Sequence, residues 1–196
     1  MKRIAGLLCV VAGITVAGTA FGQADLSVFP VGTTTMVYTM RTEDMSRSMP
    51  LEFTVTAHGD ATYTVRMMTE GTGTEDELGS FGFIGGMTSV SSSGHDVSYT
   101  SLEALMDQRN RLQEGQEYLL PGGGSFTSIT GVTIAGVWCL QGTLVDPDSP
   151  DVRTTVAFAL SKPVYISPLI RVEELRNGQW VEVFSLELVE YTVTGS

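Results

Sequence analysis

Basic charge is scarce in this chain. Among 196 residues there are 11 Lys or Arg against 22 Asp or Glu, and the only lysines are Lys2 and Lys162. Phosphate binding needs clustered Lys and Arg, and the arginines here are scattered, so nucleic acid is excluded as a partner. Histidine is limited to His58 and His95 and cysteine to Cys9 and Cys139. No G-x-S-x-G elbow occurs, and no Gly-Lys-Ser/Thr follows Gly122-Gly123-Gly124-Ser125 to make a phosphate loop. Long apolar runs are missing too, with one exception at the start.

That exception reads as a secretory signal peptide over residues 1–24. Lys2 and Arg3 precede an apolar stretch, residues 4–20, and small residues at Ala20, Gly22 and Ala24 offer cleavage points before Asp25. The stretch is too short and too rich in Gly to prefer a permanent span of roughly 20 residues. Cys9 follows Leu8, whereas a lipid-anchored leader needs a small residue there, so an unanchored product is expected. The expected location is periplasmic or secreted, with no membrane span after cleavage. Removing Lys2 and Arg3 leaves nine basic against 22 acidic residues, a formal charge of −13. About 172 residues remain, enough for one domain over 25–196. Cys139 is then alone, so no internal disulfide forms, and a buried apolar thiol is its expected state.

Alternation with period two dominates the domain. Leu51, Phe53, Val55 and Ala57 alternate with Glu52, Thr54 and Thr56; after His58-Gly59-Asp60, Ala61, Tyr63, Val65 and Met67 alternate with Thr62, Thr64 and Arg66. This predicts a hairpin with one wet face. A strand carrying Met36, Tyr38 and Met40 is expected before it, after Pro30-Val31-Gly32. Further strands are expected at Thr130, Val132 and Ile134, at Trp138, Leu140 and Leu144, and at Val156, Phe158 and Leu160. A last hairpin runs from Leu169 to Leu175, turns at Asn177-Gly178 and returns from Trp180 to Val193. The apolar phase changes between Val183 and Phe184, which predicts a bulge or a strand covered on both faces.

One helix is expected over residues 102–113, with Leu102, Leu105 and Met106 on one face, a capping box at Thr100 and Glu103, and a stop at Gly115. Residues 70–80 and 85–94, rich in Gly, Ser, Thr and acid, read as loops, with Phe81, Phe83 and Ile84 between them. The predicted architecture is mainly β: a curved antiparallel sheet, as a half-barrel or open barrel, with one helix packed on it. Alternation alone does not separate this from a closed barrel or a sandwich.

The C-terminal half carries Thr133-Ile134-Ala135-Gly136-Val137-Trp138-Cys139, then Phe158-Ala159-Leu160-Ser161-Lys162-Pro163 with Pro168-Leu169-Ile170, then Glu187-Leu188-Val189-Glu190-Tyr191. This pattern, over less than half of the mature chain, resembles uncharacterised bacterial periplasmic β-rich proteins, some of which resemble the half-barrel lipoprotein carriers. The resemblance implies a concave face, partly closed by a helix, that holds an acyl chain or another apolar ligand. It implies no catalytic residues.

Specific chemistries fare poorly. Ser91, Ser92, Ser93, His95 and Asp96 include the residue types of a serine nucleophile and its base, but a triad is defined by spatial geometry and both histidines sit in turn-like sequence. The acidic run Asp146-Pro147-Asp148-Ser149-Pro150-Asp151 and the loop Glu75, Asp76, Glu77 offer oxygens to calcium, without the EF-hand spacing and with prolines that make the run an ordinary turn. The thioethers of Met36, Met40, Met45, Met49, Met67, Met68, Met87 and Met106 suit Cu(I), yet Met36, Met40 and Met67 fall on apolar strand faces where packing accounts for them. No cofactor, metal site or catalytic residue is assigned. The expected function is a non-enzymatic binding module for an apolar or lipid-like ligand, lined by Met36, Tyr38, Met40, Phe81 and Phe83. The alternative is a structural or protein-interaction domain of the envelope that binds another protein through its acidic surface or a sheet edge.

Overall fold

A computed structural model describes residues 25–43, 45–71, 91–92, 95–96, 105, 111–120 and 123–195. Asp25 caps a single 3-10 turn, Leu26–Val28, by accepting from the Ser27 amide. The strands follow in chain order: β1 (Gly32–Thr42), β2 (Met49–Ala57), β3 (Tyr63–Thr69), β4 (Ser91–Ser92), β5 (His95–Asp96), β6 (Glu117–Leu119), β7 (Ser125–Ile134), β8 (Val137–Val145), β9 (Val152–Ala159), β10 (Leu169–Arg176) and β11 (Gln179–Thr194). Nine of them form one sheet in the order β3-β2-β1-β11-β10-β9-β8-β7-β6, with every neighbouring pair antiparallel. β4 and β5 pair separately. The large sheet is open, with β3 and β6 as its edges.

The alternation in the sequence becomes continuous apolar rows across this sheet. Met49, Met40, Leu186, Ile170, Val156 and Gly142 are successive cross-strand partners from β2 to β8. A second row runs from Tyr118 through Phe126, Leu144, Thr154 and Val172 to Phe184. Paired residues share a face, so both rows lie on one side and bury it together. β8, β9 and β10 are also covered on their other side, since Cys139 beside Leu140, Ala157 between Val156 and Phe158, and Leu169 beside Ile170 are all buried.

Local expectations in the C-terminal half hold. Asn177 (φ 53°) and Gly178 (φ 79°) form the tight turn between β10 and β11. Val183 is the extra residue of a bulge, because Val172 pairs with Phe184 while Glu173 already pairs with Glu182. The phase change read at Val183 and Phe184 is thus a real shift in register, and it lets both side chains be buried.

One expectation needs correction, and another falls largely outside the described residues. The hairpin β2–β3 has a single wet face only on β2; β3 is exposed on both faces from Thr64 to Met68. Residues 102–104 and 106–110 of the expected helix, with its capping box, lie outside the described residues; Leu105, described within that span, has α-helical backbone. Leu105 and Leu112 are nevertheless buried, in a cluster with Leu120, Phe126, Leu140, Leu144, Val156 and Phe158.

Within that cluster the Phe126 and Phe158 rings meet edge to face, 5.6 Å apart. The Phe126 ring lies over Gly142, where a Cβ would overlap the ring and come within 2.5 Å of the Thr127 carbonyl oxygen. Because backbone is one of the blocking atoms, repacking the ring alone does not make room. Gly142→Ala is expected to destabilise the fold by about 1–3 kcal/mol, and Phe126→Leu in the same chain to recover only part of it. Urea unfolding midpoints of the three variants check this, and full recovery in the double variant would contradict it.

Candidate functional site

β1 positions three of the five residues expected to line a ligand site. Its alternate side chains Met36, Tyr38 and Met40 face inward between Leu51 and Phe53 of β2 and Leu186 and Leu188 of β11, and all three are buried. Phe81 and Phe83 lie outside the described residues. Residues 160–168, which join β9 to β10, run across this face as a strap. The Tyr38 hydroxyl donates to the Ile166 carbonyl oxygen at 2.7 Å, and the Tyr165 amide donates to the Met36 sulfur at 3.3 Å. Tyr165 stacks on Phe53 with centroids 5.0 Å apart, and Phe53 meets Tyr38 edge to face. Lys162 places its ammonium 4.9 Å from the Tyr191 ring centre, and Ser161 accepts from the Trp138 amide. Sequence reasoning missed the strap. Its signal was an apolar Val-Tyr-Ile run held between Pro163 and Pro168, which marks a connector that packs inward.

Titratable groups under the strap respond to their burial. Loss of solvent pushes the Tyr38 phenol far above its ordinary value, against the opposing effect of the Ile166 hydrogen bond, with smaller upward contributions from Cys139 and Tyr191. Burial pushes the Cys139 thiol up to about 11, and its sulfur contacts the Val137 carbonyl oxygen at 3.3 Å. Such a thiol is a poor nucleophile at neutral pH.

The other candidates are dispersed. His58, in the β2–β3 turn, shares a hydrogen bond of 3.0 Å with the Thr64 hydroxyl. His95 pairs across the short β4–β5 ladder with Ser92; Ser93 lies outside the described residues, and the side chains of Ser91, Ser92, His95 and Asp96 are not described. Asp146 accepts from the Asp148 amide and so shapes the turn before β9. Glu75, Asp76 and Glu77 lie outside the described residues. Among the described residues no three His, Cys, Asp or Glu side chains converge. The Gly123 and Gly124 region is the tight β6–β7 connection, with the Leu120 and Gly124 backbones bonded at 2.8 Å.

Charge pairs gather at the far ends of β9, β10 and β11 instead. Arg153 grips Glu173 through two hydrogen bonds of 2.8 and 3.0 Å and lies 4.4 Å over the Trp180 ring. Arg171 pairs with Glu182 at 3.0 Å, and Arg176 pairs with Glu43 and Glu174. The hydrogen bonds from Arg153 hold the Glu173 carboxyl below its usual range. Solvent screening leaves such exposed or partly exposed pairs little net stability, and the arginines are already engaged, so the group reads as structural.

One surface stands apart. On β3, Val65 pairs with Val55 and Met67 with Phe53, so the face that is buried on β2 continues onto β3. There it lies open: Val65 is 38% and Met67 47% exposed, and on the opposite face Met68 is 44% exposed. No described strand pairs with the outer edge of β3. The adjacent Met67 and Met68, apolar on both faces, were the sequence signal. Set against protein-family models and against curated proteins, the chain matches none.

The buried groups predict a specific alkaline response. An unfolded chain ionises thiols near 9 and phenols near 10, whereas the folded chain holds both protons to higher pH. Above those values the unfolded state therefore binds fewer protons, and stability falls as pH rises. The Cys139 contribution is lost between about 9 and about 11, and that of Tyr38 from about 10 upward. Cys139→Ala and Tyr38→Phe are expected to flatten the decline in urea midpoint over these windows, and Tyr38→Phe to cost about 1–2 kcal/mol at neutral pH by orphaning the Ile166 carbonyl. A double variant whose midpoint declines as steeply as the parent would refute the assignment.

Proposed function

We propose that the mature domain works outside the cytoplasm, in the periplasm or secreted, as a non-enzymatic interaction domain that adds an extended strand of another polypeptide to the edge of its sheet. The observation that carries this is β3, a regular seven-residue strand with solvent on both faces and an unpaired outer edge among the described residues. A docked strand would take its main-chain hydrogen bonds from that edge and its selectivity from alternate side chains. Val65 and Met67 carry the apolar face of β2 out to that edge.

A second reading is an apolar or lipid-like ligand held against Met36, Tyr38 and Met40. It is favoured by the way the strap is fastened there, through a phenol and a thioether whose polar contacts are few. The resemblance to half-barrel carriers adds support, with the sheet curved and a helix over residues 102–113 as a further cover. On this reading the strap lifts to admit the ligand.

A photoreactive residue in place of Met67, compared with one in place of Leu119 on the opposite edge, tests the first reading. The expected result is one adduct of discrete mass from position 67 only, suppressed by Val65→Lys, with slowed amide exchange along β3 in the isolated complex. Equal labelling at both positions, or unchanged exchange, would overturn it. For the second reading, native mass spectrometry of the mature protein should reveal a bound apolar molecule that Met36→Glu displaces, and a protein that is repeatedly empty removes it.

A further inference from the structure

An exposed strand of this length is normally protected, and the two edges of the sheet differ in that respect. β6 is three residues long, too short to template another chain. β3 pairs with β2 over seven positions without a bulge, contains no Pro, Gly or Lys, and carries one charge, Arg66. Bulges, edge lysines and prolines are the usual means of preventing edge-to-edge association, and β3 has none of them. An acidic residue, Glu70, follows immediately, four positions beyond Arg66, and is exposed.

That spacing selects a partner. When a strand meets its own copy across a two-fold axis, the antiparallel pairing is self-complementary, and each residue meets the one equally far on the other side of the centre. Centred on Met68, the pairing sets Arg66 opposite Glu70 of the second copy and Glu70 opposite its Arg66, giving two cross-strand ion pairs. Met67 then meets Thr69, and the two Met68 side chains meet each other. Centred instead on Arg66, it would oppose two like charges, which is unfavourable. The Arg66 guanidinium already leans toward Met68, with Nη2 3.4 Å from its sulfur, and so points along the strand toward the intended centre. Glu52 pairs with Met68 on β2 and adds negative charge to the same face.

We propose that the strand docked on β3 is the β3 of a second copy of this chain, paired antiparallel about Met68 so that the two sheets become one. This rests on the reading of β3 as a docking edge and gives that reading its partner. The contact is small, below the area of a standard interface, so the dimer is weak and forms in the micromolar to millimolar range.

Sedimentation equilibrium of the mature chain across that range is the test. The parent should dimerise within it. Arg66→Glu alone and Glu70→Arg alone should each weaken the dimer by about tenfold or more by opposing like charges, while the double exchange R66E/E70R restores it, circular dichroism confirming that all variants are folded. A chain that stays monomeric throughout, or a dimer indifferent to either single exchange, would overturn the proposal. So would a folded double exchange that fails to recover. If the chain is monomeric while position 67 still cross-links to a different polypeptide, the docking edge stands and only the second copy is removed; absence of both removes the edge itself.

Discussion

One strand pairing holds this sheet together, that of β1 with β11. Every other contact between neighbouring strands in the large sheet joins elements that follow one another in the chain, whereas β1–β11 ties Thr33 to Thr194 and so joins the first hairpin to the C-terminal meander. Without it, β1 to β3 would be a three-stranded ribbon with one apolar face and nothing to bury it. With it, Met36, Tyr38 and Met40 gain Leu186, Leu188 and Tyr191 as cross-strand neighbours. Gly32 permits the closest approach. Its φ of 112° is one that side-chain-bearing residues rarely adopt, and a Cβ there would lie 2.6 Å from the Thr194 carbonyl oxygen and overlap that of Gly195. Closing so long a loop costs entropy that grows only slowly with length, but it delays folding, since neighbouring strands must pair before the termini meet.

Much of the fold was legible in the sequence because most of it is local. Strands β1, β2, β7, β8 and β9 lie where alternation places them, the β10–β11 turn follows from Asn177-Gly178, and the bulge at Val183 follows from a change of phase. Each is a statement about residues within a few positions of one another. The β1–β11 pairing was not legible, because every alternating strand has the same pattern and nothing in Thr33 names a partner 161 positions away.

The same limit governs the candidate site. Met36, Tyr38 and Met40 could be assigned to an apolar face from sequence, but whether that face is open or covered depends on residues 160–168, which reach it from the other half of the chain. β2 and β3 show the converse. Both alternate, yet β2 has β1 on one side and sits at the core, while β3 has only β2 among the described residues, and its Val65 and Met67 are exposed. Alternation reports which residues share a face; it does not report whether anything lies against that face.

Coverage is unevenly distributed, and that unevenness is informative. The middle strands β8, β9 and β10 are buried on both sides, an arrangement that requires chain from outside the sheet to lie against them. Leu105, Leu112 and Leu120 supply it on one side, and Ile166, from the strap, joins the cluster that contains Cys139, Ala157 and Leu169. β3 receives no such cover among the described residues. Its seven residues are held by main-chain bonds to a single neighbour, while its apolar side chains gain little from burial, and a strand in that condition belongs to the least stable part of a sheet. A second strand on its outer edge would supply both missing terms at once, hydrogen bonds along the free edge and cover for side chains now in solvent, so association and local order at β3 are two aspects of one free-energy change.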